Sequence, residues 1–291
     1  MKLSVVIATK DRAGYLDEAL RSLAAQEDAP PYEVIVVDNG STDATAHVVE
    51  RAREAYAFEL SYIFEERPNR GAARNRGIGA AAGEIVVFVD DDVWVPAGFL
   101  KAHAAAHEGP GTFCVSGPIL NVPDYHDRPK PGIANYSRAF LCTCNVSIPR
   151  EALKWVKGFD EQFNLYGWED TELGVRLREN GVRAKFAWDA FIYHIKPPQE
   201  QSLDVTLQKT IEKAKMAARF IKKNPSRRAR MATGAYAFNL LRAKALAPAW
   251  LLPLFAGVAS DERFPGVVRA VAKAQLLDGM YVRELQRGLD R

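Results

Sequence analysis

Three consecutive aspartates, Asp90, Asp91 and Asp92, close the apolar run Ile85-Val86-Val87-Phe88-Val89. A buried strand that ends in carboxylates carries hard oxygen ligands to the edge where open α/β sheets bind their ligands. Such oxygens suit Mg²⁺ or Mn²⁺, which take one or two protein carboxylates and fill the remaining positions with phosphate oxygens and water. Read as a plain acidic turn, the trio repels itself; a divalent cation relieves that repulsion.

A second acidic group is Trp168-Glu169-Asp170-Thr171-Glu172. Acids in a first helical turn complement the helix dipole and need no functional reason. Here, however, Phe163, Tyr166 and Trp168 flank them, as a sugar platform would. A carboxylate against apolar surface has a raised pKa and can serve as a base. Asp38 closes Val34 to Val37 and precedes Asn39-Gly40-Ser41, which is good turn chemistry. A carboxylate at a strand end also accepts the imino N–H of a pyrimidine or a ribose hydroxyl. Thr9, Asp11 and Arg12 follow the first apolar run, so a parallel sheet would set them beside Asp38 and the trio. Asn69 to Gly77 opens a helix with Arg70, Arg74 and Arg76, the composition of an anion site. A solvated basic face accounts for Arg70 and Arg76, and less well for Arg74-Asn75. His194 ends Phe191-Ile192-Tyr193; a lone histidine is more often structural, and only convergence with the trio would make it a ligand. His47, His103, His107 and His126 have no such context and receive no role.

These residues need a scaffold, and the first 93 residues alternate strand-like and helix-like segments. Strands are expected at Leu3 to Thr9, Val34 to Val37, Leu60 to Phe64 and Glu84 to Val89. Helices are expected at Tyr15 to Gln26, after Ser41 or Thr42 as N-cap, and at Gly71 to Ala82. Four such units predict an α/β fold with a doubly wound, mainly parallel sheet and flanking helices. Beyond Pro96 come a helix at Ala97 to His107 and a strand at Thr112 to Ser116. A proline-rich stretch, Gly117 to Arg138, reads as an active-site loop. Strands near Cys142 to Ile148 and Lys185 to His194 bracket a helix starting near Trp168. From Leu203 the chain reads as helical, with an apolar stripe at Leu203, Leu207, Ile211, Ala214, Ala218 and Ile221. The division expected is a catalytic domain at 1–200 and a basic helical appendage at 201–291, joined near Lys196-Pro197-Pro198.

The 291 residues are 48% hydrophobic and 26% charged, enough for a sizeable core. The start, Met1 to Thr9, is broken too early by Lys10-Asp11 for a signal peptide, and no run reaches membrane-spanning length. Cys114, Cys142 and Cys144 make no disulfide framework, and Cys-x-Cys lacks the second ligand pair of a zinc site. Reduced thiols and a cytoplasmic location follow as expectations. The net charge of +3 hides an asymmetry. Residues 1–200 carry 22 Lys+Arg against 29 Asp+Glu, a balance of −7, and residues 201–291 carry 17 against 7, a balance of +10. Arg219, Lys222, Lys223, Arg227, Arg228 and Arg230 cluster without an acid, and the apolar Ala245 to Ala259 follows with Trp250 and Phe255. Such a tail is expected to meet an anionic membrane from its inner face, as a peripheral contact. The alternative is packing on the catalytic domain or in a homo-oligomer, with the charges solvated. A nucleic-acid partner is not expected.

Taken in order, the motifs resemble the family 2 glycosyltransferases of the GT-A fold. The likeness spans residues 3–195 and rests on six pieces: Val5 to Arg12 leading into Leu16, Leu20, Ser22-Leu23 and Gln26; Val36 to Asp43; Asn69 to Gly77; Phe88 to Asp92; Asn145 to Glu161 with Gly158-Phe159-Asp160; and Trp168-Glu169-Asp170. The resemblance implies inverting transfer from a nucleotide diphosphate sugar, with a UDP-sugar favoured, to a hydroxyl acceptor; membrane contact through the basic tail would make that acceptor an envelope or lipid-linked glycan. It implies that Thr9, Arg12 and Asp38 line the nucleoside site, with Asp38 on the base, and that Arg74 approaches ribose or diphosphate. Asp90 to Asp92 look like an Asp-x-Asp motif, with Asp92 on the Mn²⁺ or Mg²⁺ ion, Asp90 acting through ribose or water, and Asp91 beside them. Glu169 would hold sugar hydroxyls and Asp170 would be the general base, next to Trp168; His194 would be a further metal ligand. The chain departs from the pattern at Asp11, where relatives often carry Asn, and the region after Leu203 shows no resemblance. A nucleotidyltransferase would want a glycine-rich loop where Ala8-Thr9-Lys10-Asp11-Arg12 stands. A non-catalytic sugar-nucleotide-binding module would not need both acidic groups and His194, and a retaining enzyme would not need Asp170 as base.

Overall fold

A computed structural model describes residues 1–197 and 202–290. They fall into two compact units: Met1–Asn164 with Glu169–Pro198, and Leu165–Trp168 with Gln199–Arg291. The boundary expected at 200/201 lies outside the described residues.

In the first unit the strands are β1 (Leu3–Thr9), β2 (Tyr32–Asp38), β3 (Glu59–Phe64), β4 (Ile85–Asp90), β5 (Val93–Trp94), β6 (Phe113–Ser116), β7 (Ile119–Val122), β8 (Asn145–Pro149), β9 (Arg183–Phe186) and β10 (Ile192–Ile195). Helices α1 (Ala13–Ala24), α2 (Thr45–Ala55), α3 (Arg70–Ala80), α4 (Phe99–Ala106), α5 (Arg150–Trp155) and α6 (Glu169–Glu179) connect them. Seven strands form one sheet in the order β3-β2-β1-β4-β8-β6-β9. The β3-β2-β1-β4 half is parallel, β8 runs antiparallel to β4 and β6, and β9 is parallel to β6. Helices cover both faces, so β1, β2 and β4 read as near-continuous apolar runs. Leu3, Val5 and Ile7 pack on α1 and α2 side chains such as Leu16, Leu20 and Val49. Val6, one residue out of phase, packs on the opposite face with Ala73, Leu153 and Leu173.

Register carries the candidate residues to one edge. Thr9 lies opposite Asp38, and Ala8 opposite Asp90. A second, three-stranded sheet, β5-β10-β7, sits past that edge. Its formation corrects two expectations. The strand expected over Lys185 to His194 is two strands, β9 and β10, in different sheets, and the loop expected at Gly117 to Arg138 contains β7. Both changes have one cause: β6 and β9 leave the first sheet side by side and re-pair as β7 and β10. Ala187 donates to the Ser116 carbonyl (2.8 Å) and Ile192 to the Pro118 carbonyl (3.0 Å), so the crossing stays hydrogen-bonded. At the crossing a β-carbon on Gly117 would overlap the Ala190 carbonyl.

The helix expected to start after Ser41 or Thr42 begins instead at Thr45, because Ser41 and Thr42 are bonded to Asp11 and Asp43 accepts from Thr45. His103 and His107 prove to be core groups: both bond to Ser147 Oγ at 2.8 Å and pin α4 to β8. Burial holds the His103 imidazole down at about 3 and His107 at about 4, so both stay neutral.

The second unit holds α7 (Leu203–Lys223), α8 (Arg227–Ala232), α9 (Ala237–Leu246), α10 (Leu252–Ser260) and α11 (Gly266–Asp290). Ala214, Ala218 and Ile221 of the expected α7 stripe are buried against Leu285, and Leu203 and Leu207 pack near Leu252 and Leu276. No helix among the described residues is long and apolar enough to cross a membrane.

Gly117→Ala is expected to lower the unfolding free energy by about 1–3 kcal/mol, the usual range for forcing an extra methyl group into packed backbone. Urea unfolding monitored by circular dichroism measures it.

Candidate active site

The loop after β1 and the end of β4 meet through hydrogen bonds. Thr9 donates to Asp91 Oδ2 at 2.7 Å. The Arg12 guanidinium donates to Asp91 Oδ1 (2.9 Å) and Asp92 Oδ2 (2.8 Å). Asp91 is thereby turned inward. Burial pushes its carboxyl up to about 6 against the pull of Arg12 and Thr9. Asp90 faces outward, with its side chain 34% exposed.

His194 reaches this crest by backbone pairing. It lies opposite Val93 across the β10–β5 ladder, and Ile195 N–H donates to the Asp92 carbonyl at 2.8 Å. Its Nε2 stands 3.2 Å from Asp92 Oδ1. That oxygen is buried and makes no hydrogen bond among the described residues. Asp90, Asp92 and His194 offer three ligand atoms within 4.8 Å of one another. Two hard carboxylate oxygens and one imidazole nitrogen this close together fit a divalent cation such as Mn²⁺ or Mg²⁺. Burial works against ionisation of Asp92, but His194 and Arg12 outweigh it and hold the carboxyl down at about 2, ready as an anionic ligand.

Arg74 on α3 joins this crest to the second acidic pair. Its Nη2 lies 3.5 Å from Asp90, and its Nη1 lies 3.2 Å from Glu169 Oε1 and 3.6 Å from Asp170 Oδ1. Glu169 Oε2 is buried with no hydrogen bond among the described residues, so one oxygen remains for a ligand hydroxyl. Asp170 is also held by Thr143. Thr143 N–H donates to Oδ2 at 3.0 Å, and Thr143 Oγ1 lies 3.1–3.2 Å from both carboxylate oxygens. The Asp170 side chain remains 21% exposed. Burial pushes its carboxyl up to about 6 despite Arg74. A carboxylate near that value is still ionised at neutral pH and basic enough to take a proton.

The remaining candidates are held by protein partners. Asp38 is buried and accepts from Ser41 N–H (2.8 Å) and the Tyr62 hydroxyl (2.7 Å). Asp11 accepts from Thr42 N–H at 2.7 Å and ties the loop after β1 to the loop after β2. At the start of α3, expected as an anion site, the Asn69 side chain accepts from Ala72 N–H and donates to the Glu161 carbonyl. Arg74 correspondingly turns to the acids named above. Trp168 belongs to the second unit, where it stacks on Phe220 with centroids 5.3 Å apart. Open hollows of about 430 and 470 Å³ are lined by Phe64 to Arg67 with Arg76, and by Arg138, Phe140 and the Arg178 to Ala184 region; the acids of the crest line neither. Sequence reading missed Thr143 and Tyr62. Neither carries a local signal, since each meets its aspartate only through tertiary structure.

Comparison with known proteins gives the chain its family. Residues 4–161, more than half of the chain, match the family described as Glycosyl transferase family 2. The chain belongs to that family. Residues 127–197 of this family 2 chain also match the domain described as N-terminal domain of galactosyltransferase. It is 29% identical over 265 residues to a validoxylamine A glucosyltransferase of Streptomyces hygroscopicus subsp. limoneus, covering 77% of this chain and 57% of that protein. A second such enzyme, from the jinggangensis subspecies, is covered to 61%, so the chain spans about three fifths of these relatives. Among solved structures, a mannosyltransferase of Pyrobaculum calidifontis in complex with GDP-Man and Mn²⁺ superposes with a TM-score of 0.68 at 21% identity, covering 98% of this chain and 86% of that one. Staphylococcus aureus TarS 1-349 in complex with UDP-GlcNAc gives 0.60 at 23% identity, covering 99% and 92%. These likenesses bear out the doubly wound, mainly parallel GT-A fold.

Arg74→Met strands three carboxylates and is expected to cost about 3–5 kcal/mol of stability at pH 8, as for one broken side of a buried ion pair. Without the guanidinium, Asp170 binds its proton at higher pH in the folded than in the unfolded state. The deficit therefore shrinks as pH falls towards 5. Urea titrations at the two pH values test both the size and the sign.

Proposed function

We propose that this chain is an inverting glycosyltransferase that moves a sugar from a nucleotide diphosphate donor to an acceptor hydroxyl, with Asp170 as general base. The observation that carries this reading is the shared guanidinium: Arg74 contacts Asp90 of the crest and both Glu169 and Asp170. Donor and acceptor groups would thus share a single cleft. In the reaction the acceptor hydroxyl gives its proton to Asp170 while its oxygen bonds to the anomeric carbon. The bond from that carbon to the diphosphate oxygen breaks on the opposite face, which inverts the configuration and releases nucleoside diphosphate.

Asp90, Asp92 and His194 would hold the Mn²⁺ or Mg²⁺ ion, which when bound supplies neutralisation of the departing diphosphate. Thr143 and Arg74 keep the Asp170 carboxylate in one orientation, so no reorganisation is needed as the proton moves. The partnerless Glu169 oxygen accepts from a hydroxyl of the donor sugar. Thr9, Asp11, Arg12 and Asp38 shape the nucleoside end, and a UDP-sugar is the favoured donor. Acceptors are envelope or lipid-linked glycans, and the site of action is the cytoplasmic side of a membrane.

Asp170→Asn is expected to lower kcat by about 10²–10⁴-fold, the span general bases contribute, while donor affinity stays within a few-fold. Nucleoside diphosphate release and donor titration calorimetry separate the two. In the wild type, kcat should stay level above about pH 6 and fall roughly tenfold per unit below it, because only ionised Asp170 accepts the proton. Asp92→Ala should lose donor affinity and metal dependence together, and wild-type turnover should vanish in excess chelator. In thermal shift with Mn²⁺, UDP-sugars should stabilise the protein more than GDP-sugars.

A further inference from the structure

Between Lys213 and Ser260 the chain carries ten Lys and Arg residues and no Asp or Glu. This stretch runs from the second half of α7 through α10. Arg219, Lys222, Lys223, Arg227, Arg228 and Arg230 are all exposed. Large apolar side chains lie open among them: Met231 is 63% exposed, Phe238 73%, Leu241 66%, Trp250 76% and Leu254 59%. The pattern on α9 is the reverse of an ordinary surface helix. Phe238, Leu241 and Ala245, spaced as one helical face, are exposed, while Ala243 is buried. Lys244, three residues after Leu241, edges the same face. Both α9 and α10 pack on α11, whose first turns add exposed Val267 and Val271. Exposed apolar side chains thus recur on α9, α10 and the α11 against which both pack, and large apolar side chains left open in number mark an interaction site.

We propose that the α8–α10 face docks on the surface of an anionic lipid bilayer. Phe238, Leu241, Trp250 and Leu254 enter the boundary between headgroups and acyl chains. Arg227, Arg228, Arg230 and Lys244 meet the lipid phosphates, their aliphatic stems lying on the apolar layer. Charge decides the occupant. A second copy would set Arg227, Arg228, Arg230 and Lys244 against the same four bases, whereas anionic lipid complements them. A nucleic acid would satisfy the arginines but leave Met231, Leu241 and Leu254 without an apolar partner. With no membrane-crossing helix among the described residues, the unit lies on the bilayer rather than through it. The surface is independent of the transfer chemistry, because it uses only residues of the second unit.

The test is flotation of the full chain with phosphatidylcholine vesicles and with vesicles containing about 30% phosphatidylglycerol, each at about 0.1 M and about 0.5 M salt. The bound fraction should be about tenfold higher on the anionic vesicles and fall several-fold at the higher salt. F238S/L241S/W250S should lower it about tenfold, and R227E/R228E should do so independently, with nucleotide-sugar turnover in solution within about twofold of wild type. Binding indifferent to anionic lipid, or undiminished in both variants, overturns the proposal. So does a concentration-dependent dimer in sedimentation velocity that the apolar variant abolishes without any vesicle binding, which would assign the face to a second copy. A wild-type chain that floats as expected but turns over no nucleotide sugar would count against the catalytic reading and leave the docking surface standing.

Discussion

Five carboxylates, Asp90, Asp91, Asp92, Glu169 and Asp170, converge on two guanidiniums, Arg12 and Arg74. Like charges about 4 Å apart repel by about 4 kcal/mol even at an effective dielectric constant near 20, so this convergence holds only while cations sit inside it. Arg12 neutralises the inward pair and leaves Asp92 Oδ1 towards His194. Arg74 spans Asp90 and the Glu169-Asp170 pair. The balance still leaves three negative charges in excess, an invitation to a divalent cation and to the donors of a polar substrate. Burial raises the Asp170 carboxyl within this field, so the electrostatics that gather the acids also tune the proposed base.

The backbone explains why distant segments meet there. Parallel pairing brings the ends of β1, β2 and β4 into line. The change of sheet at Gly117 carries β10 past that edge, and pairing with β5 sets His194 beside Asp92. Asn75 fixes α3 to the chain that leads towards α6, exchanging hydrogen bonds with Phe159 N–H and carbonyl at 2.8 and 3.0 Å. Gly158 must be glycine for this, since its φ is +66° and a β-carbon would collide with the Asn75 amide. Arg74, one residue before Asn75, is positioned by the same docking.

Much of the frame was legible in the sequence because β1, β2 and β4 are buried on both faces and so spell unbroken β-branched runs. The acidic trio stands out as charge that a plain turn does not explain, and the Glu169-Asp170 pair, which the helix dipole alone would explain, stands out through its aromatic neighbours. The sheet crossover left no such trace: β7 and β10 are four residues each, and their pairing depends on a backbone approach at Gly117. Thr143 was hidden between two cysteines whose only conspicuous feature was their spacing. The start of α2 lies beyond the position its local sequence predicts because Ser41 and Thr42 bond to Asp11, about thirty residues away, rather than capping the helix. The stack of Trp168 on Phe220 is likewise tertiary, and no local pattern announces it.

The central claim is that the acidic crest and Asp170 face one site. Paramagnetic broadening of the Asp170 carboxyl resonance, in protein labelled with ¹³C at aspartate Cγ and assigned by loss of the signal in Asp170→Asn, tests it most directly. With nucleotide diphosphate sugar present, Mn²⁺ should broaden that resonance where Mg²⁺ does not, and Asp92→Ala should restore it. A sharp Asp170 signal while Mn²⁺ and donor are bound would place metal and base in separate sites and contradict the account.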